Sequence, residues 1–207
     1  MNFIEMYDNT LTAEDCKFII GYMNGNDVVR YPDGTNNICR PGTSGDSSGD
    51  SAVNPSVKDS IDRRMVFGYT SNSSAANRVN DIVYDALGKC INDYKEKFPE
   101  LDGLSKWQLY ASYNIQKYKK SGGYFKLHCE NSHHNDNDVA YKRVLAWMVY
   151  LNNVTDGGGT YFSNYDLTIN AVEGRMVIWP AYWTHQHKGM VSHTQEKYIS
   201  TGWFCVL

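Results

Sequence analysis

The stretch Trp107-Gln-Leu-Tyr-Ala-Ser-Tyr-Asn-Ile-Gln-Lys-Tyr118 decides the fold class. Apolar and polar residues alternate along it, the period of a strand with one buried face. Ser121-Gly122-Gly123 turns the chain, and Tyr124 to Glu130 reads as a second short strand. Asn131 to Asp138 is a polar loop. Arg143 to Asn152 is a nearly unbroken apolar run, the mark of a strand buried on both faces. Thr155-Asp-Gly-Gly-Gly159 is a turn leading into Thr160-Tyr-Phe162. Arg175 to Trp179, Thr184 to Met190 and Lys197 to Leu207 read as three further strands. Short strands at this spacing point to a sandwich or barrel.

The first hundred residues read differently. Thr12 precedes Glu14 and Asp15 as a helix cap followed by first-turn acids, with Phe18, Ile19, Ile20, Tyr22 and Met23 as the apolar face. Residues 25–56, rich in Gly, Asn, Ser and Asp, read as one long loop, an insertion or a lid. Residues 73–98 read as a helix: Ser73 or Ser74 caps it and Pro99 stops it. Val79, Ile82, Val83, Leu87, Cys90, Ile91 and Tyr94 recur at helical spacing. The reading is one domain over 1–207. Residues 1–100 form helical support and a long loop, and 101–207 form the β half.

Composition bounds the partners. The 207 residues carry 20 basic and 23 acidic side chains, net −3, with no basic excess to draw nucleic acid. The longest apolar run, Val144 to Leu151, is far short of the roughly 20 residues of a membrane span. The opening Met1-Asn2-Phe3-Ile4-Glu5 lacks the basic n-region of a signal peptide. Five widely spaced cysteines without a CxxC read as reduced thiols. The expectation is a cytoplasmic protein, bacterial or viral in a host cytosol, and not secreted.

All six histidines fall between 128 and 193, which points toward metal. His128 and Glu130 stand two apart on the expected 124–130 strand and so share a face, with Cys129 pointing away. His185 and His187 do the same on a later strand. Either could complete a set of two imidazoles and one carboxylate, the facial triad of non-haem Fe(II) oxygenases. Solvated or core histidines are the plainer alternative. His133-His134 and His193 read as loop residues. Lys197 opens the last strand. An ammonium inside a barrel needs an anionic partner, whereas one at the rim needs only water.

These segments together resemble the iron(II)- and 2-oxoglutarate-dependent dioxygenases, specifically their prolyl 4-hydroxylase-like branch. The ordered text is Tyr118-x4-Gly123-Tyr124-x3-His128-x-Glu130, then Arg143-Val-Leu-x4-Tyr150-Leu151-Asn152 and Gly158-Gly159-Thr160-x-Phe162. Gly174-Arg175-x-Val-Ile-Trp179, His187-x-Gly189, Lys197 and Thr201-x-Trp203 follow. The resemblance implies an α+β fold: a double-stranded β-helix, or jelly roll, with N-terminal helices packed on one side. It implies Fe(II) held by His128, Glu130 and His187, with His185 as the rival distal ligand. It implies 2-oxoglutarate as co-substrate, its far carboxylate on Lys197 with Tyr118 or Tyr150 assisting, and O2 as oxidant. The implied reaction couples decarboxylation to succinate and CO2 with hydroxylation of a C–H bond in an unidentified prime substrate, peptide, protein or small molecule. The family pattern usually carries Asp where this chain has Glu130. A catalytically silent jelly-roll module and a cupin-like metalloenzyme without 2-oxoglutarate are the alternatives.

Overall fold

The computed structural model describes residues 1–45, 51–131 and 139–207. In chain order the elements are strand β1 (Glu5–Tyr7), helix α1 (Ala13–Asn24) and strands β2 (Arg40–Pro41), β3 (Ser44–Gly45), β4 (Ser51–Ala52) and β5 (Ile61–Val66). Helix α2 (Ser74–Lys97) follows, then β6 (Trp107–Leu109), β7 (Ser112–Tyr118), β8 (Arg143–Tyr150), β9 (Thr160–Phe162), β10 (Leu167–Ile169), β11 (Met176–Pro180), β12 (His187–Gly189) and β13 (Lys197–Val206).

Both helices begin as their sequences dictate. Thr12 Oγ1 accepts from the Asp15 amide, and the Asp15 carboxylate accepts from the Thr12 amide, a capping box. Ser73 Oγ accepts from the Ala76 amide at 3.0 Å. The α2 residues Ala76, Val79, Val83, Leu87, Cys90 and Tyr94 form one buried stripe at helical spacing.

An eight-stranded antiparallel sheet runs in the order β1-β11-β8-β13-β7-β5-β2, with β6 also on β13. A three-stranded sheet, β10-β9-β12, faces it, and β3 pairs with β4. Two cores result. One lies between the large sheet and the helices, joining Ile19, Val79, Leu87, Trp147, Ile178 and Phe204. The other lies between the sheets, joining Tyr118, Ala146, Met148, Tyr150, Phe162, Val177, Trp179 and Ile199. Strand alternation divides each strand between the two. The helix-side core places both helices on one face of the large sheet, an α+β arrangement. Among the described residues, no helix is long and apolar enough to cross a membrane.

Several elements differ from the sequence reading. The first hundred residues are not only helical support, because β1 pairs with β11 and β5 with β7 inside the large sheet. The long loop carries β2, β3 and β4. Trp107–Tyr118 is two strands, broken where the Tyr110 amide donates to Trp203 O and Ala111 O accepts from the Phe67 amide. Tyr124–Glu130 forms no ladder, because its backbone is shared among three partners. Phe125 N donates to Val57 O, His128 N to His187 O and Glu130 N to Ala181 O. Strand β10 escaped the sequence reading altogether. Thr184–Met190 is a 3-10 turn, Trp183–His185, followed by the short strand β12. The 131–138 loop, with His133 and His134, lies outside the described residues beyond Asn131.

Glycine at 202 is required by packing. A Cβ built there falls 2.8 Å from Trp147 Cζ2, and Trp147 is fully buried. Gly202→Ala is expected to cost about 1–3 kcal/mol of stability by overpacking. Urea denaturation measures it, and an unchanged midpoint would contradict the packing argument.

Candidate metal centre

His128 and His187 meet through their backbones first. His128 N donates to His187 O at 3.0 Å, and His187 N donates to His128 O at 2.8 Å. This isolated antiparallel bridge ties the 124–130 segment to β12. It sets the two imidazoles 4.4 Å apart, centroid to centroid. Each ring is then fixed by its other nitrogen. His128 Nδ1 lies 3.0 Å from Lys126 O, and His187 Nδ1 lies 2.9 Å from His185 O. A carbonyl only accepts, so each Nδ1 carries the hydrogen and each Nε2 keeps its lone pair.

Both lone pairs face Glu130. Its Oε1 lies 3.7 Å from His128 Nε2 and 3.3 Å from His187 Nε2. One ligand atom from each of the three residues lies within 4.8 Å of the others. Burial, reinforced by the neighbouring His187, pushes the His128 imidazole below its ordinary pKa and keeps it neutral. Burial acts to raise the Glu130 carboxyl, but a proton held on a facing Nε2 would donate to it and bring positive charge beside it, and this prevails and holds the carboxyl well below the usual range. Three lone-pair atoms facing one point require a shared cation, a proton or a metal ion. Two imidazole nitrogens and one carboxylate oxygen fit ferrous iron and leave coordination positions open.

The surroundings are aromatic. Tyr124 stacks on His128 at 3.7 Å between centroids, and Phe162 and Trp179 stand 5.4 Å and 5.2 Å from His187. Trp203 Nε1–H donates to Glu130 Oε2 at 2.8 Å.

Lys197 is only 5 % exposed. Among the described residues its ammonium has no hydrogen-bonding or ionic partner; it stands 4.6 Å from the Tyr118 ring centroid. Burial alone pulls its pKa down to about 8. A cation so placed gains from any anion that reaches it.

The expected hydroxyl helpers are placed otherwise. Tyr118 donates to Gln116 Oε1 at 2.8 Å, while Gln116 Nε2 donates to Asp62 Oδ2 at 3.1 Å and Lys58 Nζ pairs with Asp62 at 2.6 Å. Tyr118 therefore turns its ring, not its hydroxyl, to Lys197. Tyr150 shares a hydrogen bond with Thr160 Oγ1 at 2.8 Å and lies 3.3 Å from Ile169 O.

His185 does not share a face with His187. The 3-10 turn breaks the two-residue alternation, and His185 Nε2 lies 2.7 Å from Asn2 O and 3.3 Å from the Tyr165 hydroxyl. His193 is at the surface against Ser121. The sequence reading assigned no role to Arg143, Trp203 or Tyr124. Only their positions in the quoted family segments could have drawn attention to them.

The sequence profile of the 2OG-Fe(II) oxygenase superfamily matches residues 113–205. No curated protein matches the sequence. Among solved structures, the viral collagen prolyl hydroxylase of Paramecium Bursaria Chlorella virus-1, in its 2OG complex, is similar with a TM-score of 0.66 at 17% identity, over 100% of this chain and 97% of that one. A Pseudomonas putida prolyl-4-hydroxylase gives 0.63 at 15% identity, over 100% and 94%. A Trichoplax adhaerens prolyl hydroxylase, in complex with a hypoxia inducible factor oxygen degradation domain peptide fragment, gives 0.64 at 15% identity, over 99% and 84%. At such identities the likeness is one of fold, the prolyl hydroxylase double-stranded β-helix. Residues 113–205 thus carry the sequence pattern of the 2OG-Fe(II) oxygenase superfamily, whose reactants are Fe(II), 2-oxoglutarate and O2.

Proposed function

We propose that this chain is a hydroxylase in which His128, Glu130 and His187 hold Fe(II), Lys197 receives the far carboxylate of 2-oxoglutarate, and a peptide or protein side chain, prolyl or another, is the prime substrate. The convergence of three metal-binding atoms from two separate ribbons carries this reading. Bound Fe(II) would supply the activation of O2 against 2-oxoglutarate, which yields succinate, CO2 and a hydroxylated C–H bond.

The chain's own part is positioning. The Nδ1–H bonds to Lys126 O and His185 O hold both imidazoles with Nε2 inward. Glu130 contributes the anionic ligand. Phe162 and Trp179, both buried, line the core beside His187 and keep water from it. Lys197, on the inner face of β13, matches a dicarboxylate's remote charge. Its lack of a partner among the described residues favours a 2-oxoglutarate enzyme over a metalloenzyme that binds no anion. The peptide class of substrate rests on fold similarity to prolyl hydroxylases, one of them bound to a peptide fragment. Five free cysteines support a reducing, cytosolic setting.

Anaerobic addition of Fe(II) and 2-oxoglutarate is expected to give a weak visible charge-transfer band, and air then to release succinate slowly without prime substrate. His128→Ala should abolish both; a band and turnover that survive it would contradict the assignment. Lys197→Ala should weaken 2-oxoglutarate binding by roughly 10–100-fold, the loss of a charge-assisted contact, while metal affinity holds. Equal loss of both would contradict its role. The sign of the pH dependence follows from its lowered pKa. Lys197 is cationic below about 8 and neutral above. Calorimetric 2-oxoglutarate affinity should therefore be flat below that pH and fall by up to about tenfold per unit above it. A pH-independent affinity would contradict the ammonium as receptor.

A further inference from the structure

The profile-matched region departs from the familiar His-x-Asp pattern at one ligand, Glu130, and the structure holds its extra methylene in a specific place. The two carboxylate oxygens are divided. Oε1 faces the imidazoles, and Oε2 accepts from Trp203 Nε1–H at 2.8 Å. Arg143 completes the enclosure. Its guanidinium stacks on the Trp203 ring at 3.7 Å, its Nη1–H donates to Glu130 O at 2.9 Å, and the same nitrogen lies 3.6 Å from Oε2. Glu130 is thus gripped at backbone and side chain by one stacked Arg–Trp pair.

A β-bulge delivers Arg143 to that position. Along β8, Leu145 pairs with Phe204 and Ala146 with Trp203, but Arg143 pairs with Cys205, so the register shifts by one. Ala146 points between the sheets, whereas Leu145 and Val144 both pack in the helix-side core. Strict alternation would have sent Val144 inward and Arg143 out among the helices. The bulge reverses that parity and turns Arg143 inward onto Trp203.

We propose that Trp203, with its plane set by Arg143, is a positioning residue that clamps Glu130 Oε2 and leaves Oε1 alone to meet the metal, making this centre dependent on the longer carboxylate. The inference rests on the metal-centre reading above. An aspartate on the same backbone would stop one methylene short of the position from which Glu130 meets both the imidazole pair and the Trp203 N–H. Without the clamp, both oxygens are free to swing toward the cation. The pairing binds Glu130 and Trp203 into one unit whose members are not separately replaceable.

Co(II) titration of the purified chain, followed by calorimetry and by its visible ligand-field bands, tests this without turnover. Trp203→Phe, which keeps the ring and removes the N–H, should weaken Co(II) binding by roughly 10–100-fold and change the band pattern. Arg143→Met should act in the same direction. In a Glu130→Asp background, Trp203→Phe should change affinity by less than about twofold, because the bond it removes is already gone. Wild-type affinity and bands in Trp203→Phe would overturn the clamp while leaving the metal centre intact. An equal loss in both backgrounds would overturn it as well. Failure of the wild-type chain to bind Co(II) would overturn the metal centre and the clamp together.

Discussion

Two backbone hydrogen bonds between His128 and His187 hold the site together. Neither segment could build it alone. The 124–130 segment forms no ladder, and β12 is three residues long. Their reciprocal bridge fixes both imidazoles and places Glu130, two residues along an extended backbone, beside them. The rest of the fold supports that bridge. Trp179 and Phe162 wall it from the core, and β12 is held by β9 with His187 opposite Phe162.

Charge is arranged around the bridge with few loose ends. Glu130 is half-buried and surrounded by two imidazoles, an indole N–H and a guanidinium. A second ion pair, Lys58 with the half-buried Asp62, is set in a hydrogen-bond network. Ser60 and Gln116 both donate to Asp62, the arrangement a buried ion pair requires. That network passes through Gln116 to the Tyr118 hydroxyl and ends beneath Lys197. Lys197 is the contrast: a buried cation whose counter-charge no described residue supplies. A site that binds a dianion needs one such vacancy in its charge balance, because a protein carboxylate there would compete with the ligand.

Much of this was legible in the sequence where the controlling physics is local. Thr12 with Asp15, Ser73 and Pro99 mark the helix ends. The apolar run at 143–152 marks the central strand, and the spacing of His128, Glu130 and His187 points to the three side chains that converge. The misses share a cause: long-range pairing overrode local pattern. Strands β1 and β5 pair with β11 and β7 more than forty residues away, which periodicity cannot register. His185 looked equivalent to His187 by strand parity, but Trp183–His185 is a 3-10 turn and the parity argument lapses. Arg143 and Trp203 meet through a bulge, a one-residue irregularity with no sequence signature here. Tyr118 and Tyr150 are in the barrel as expected, yet their hydroxyls answer to Gln116, Thr160 and Ile169.

The most direct measurement is a crystal structure grown anaerobically with Fe(II) and 2-oxoglutarate, with the metal located by anomalous scattering at the iron edge. The account predicts one iron about 2 Å from His128 Nε2, His187 Nε2 and a single Glu130 oxygen, with the distal carboxylate of 2-oxoglutarate against Lys197 Nζ. Iron held elsewhere, or held with His185 in place of His187, would contradict it.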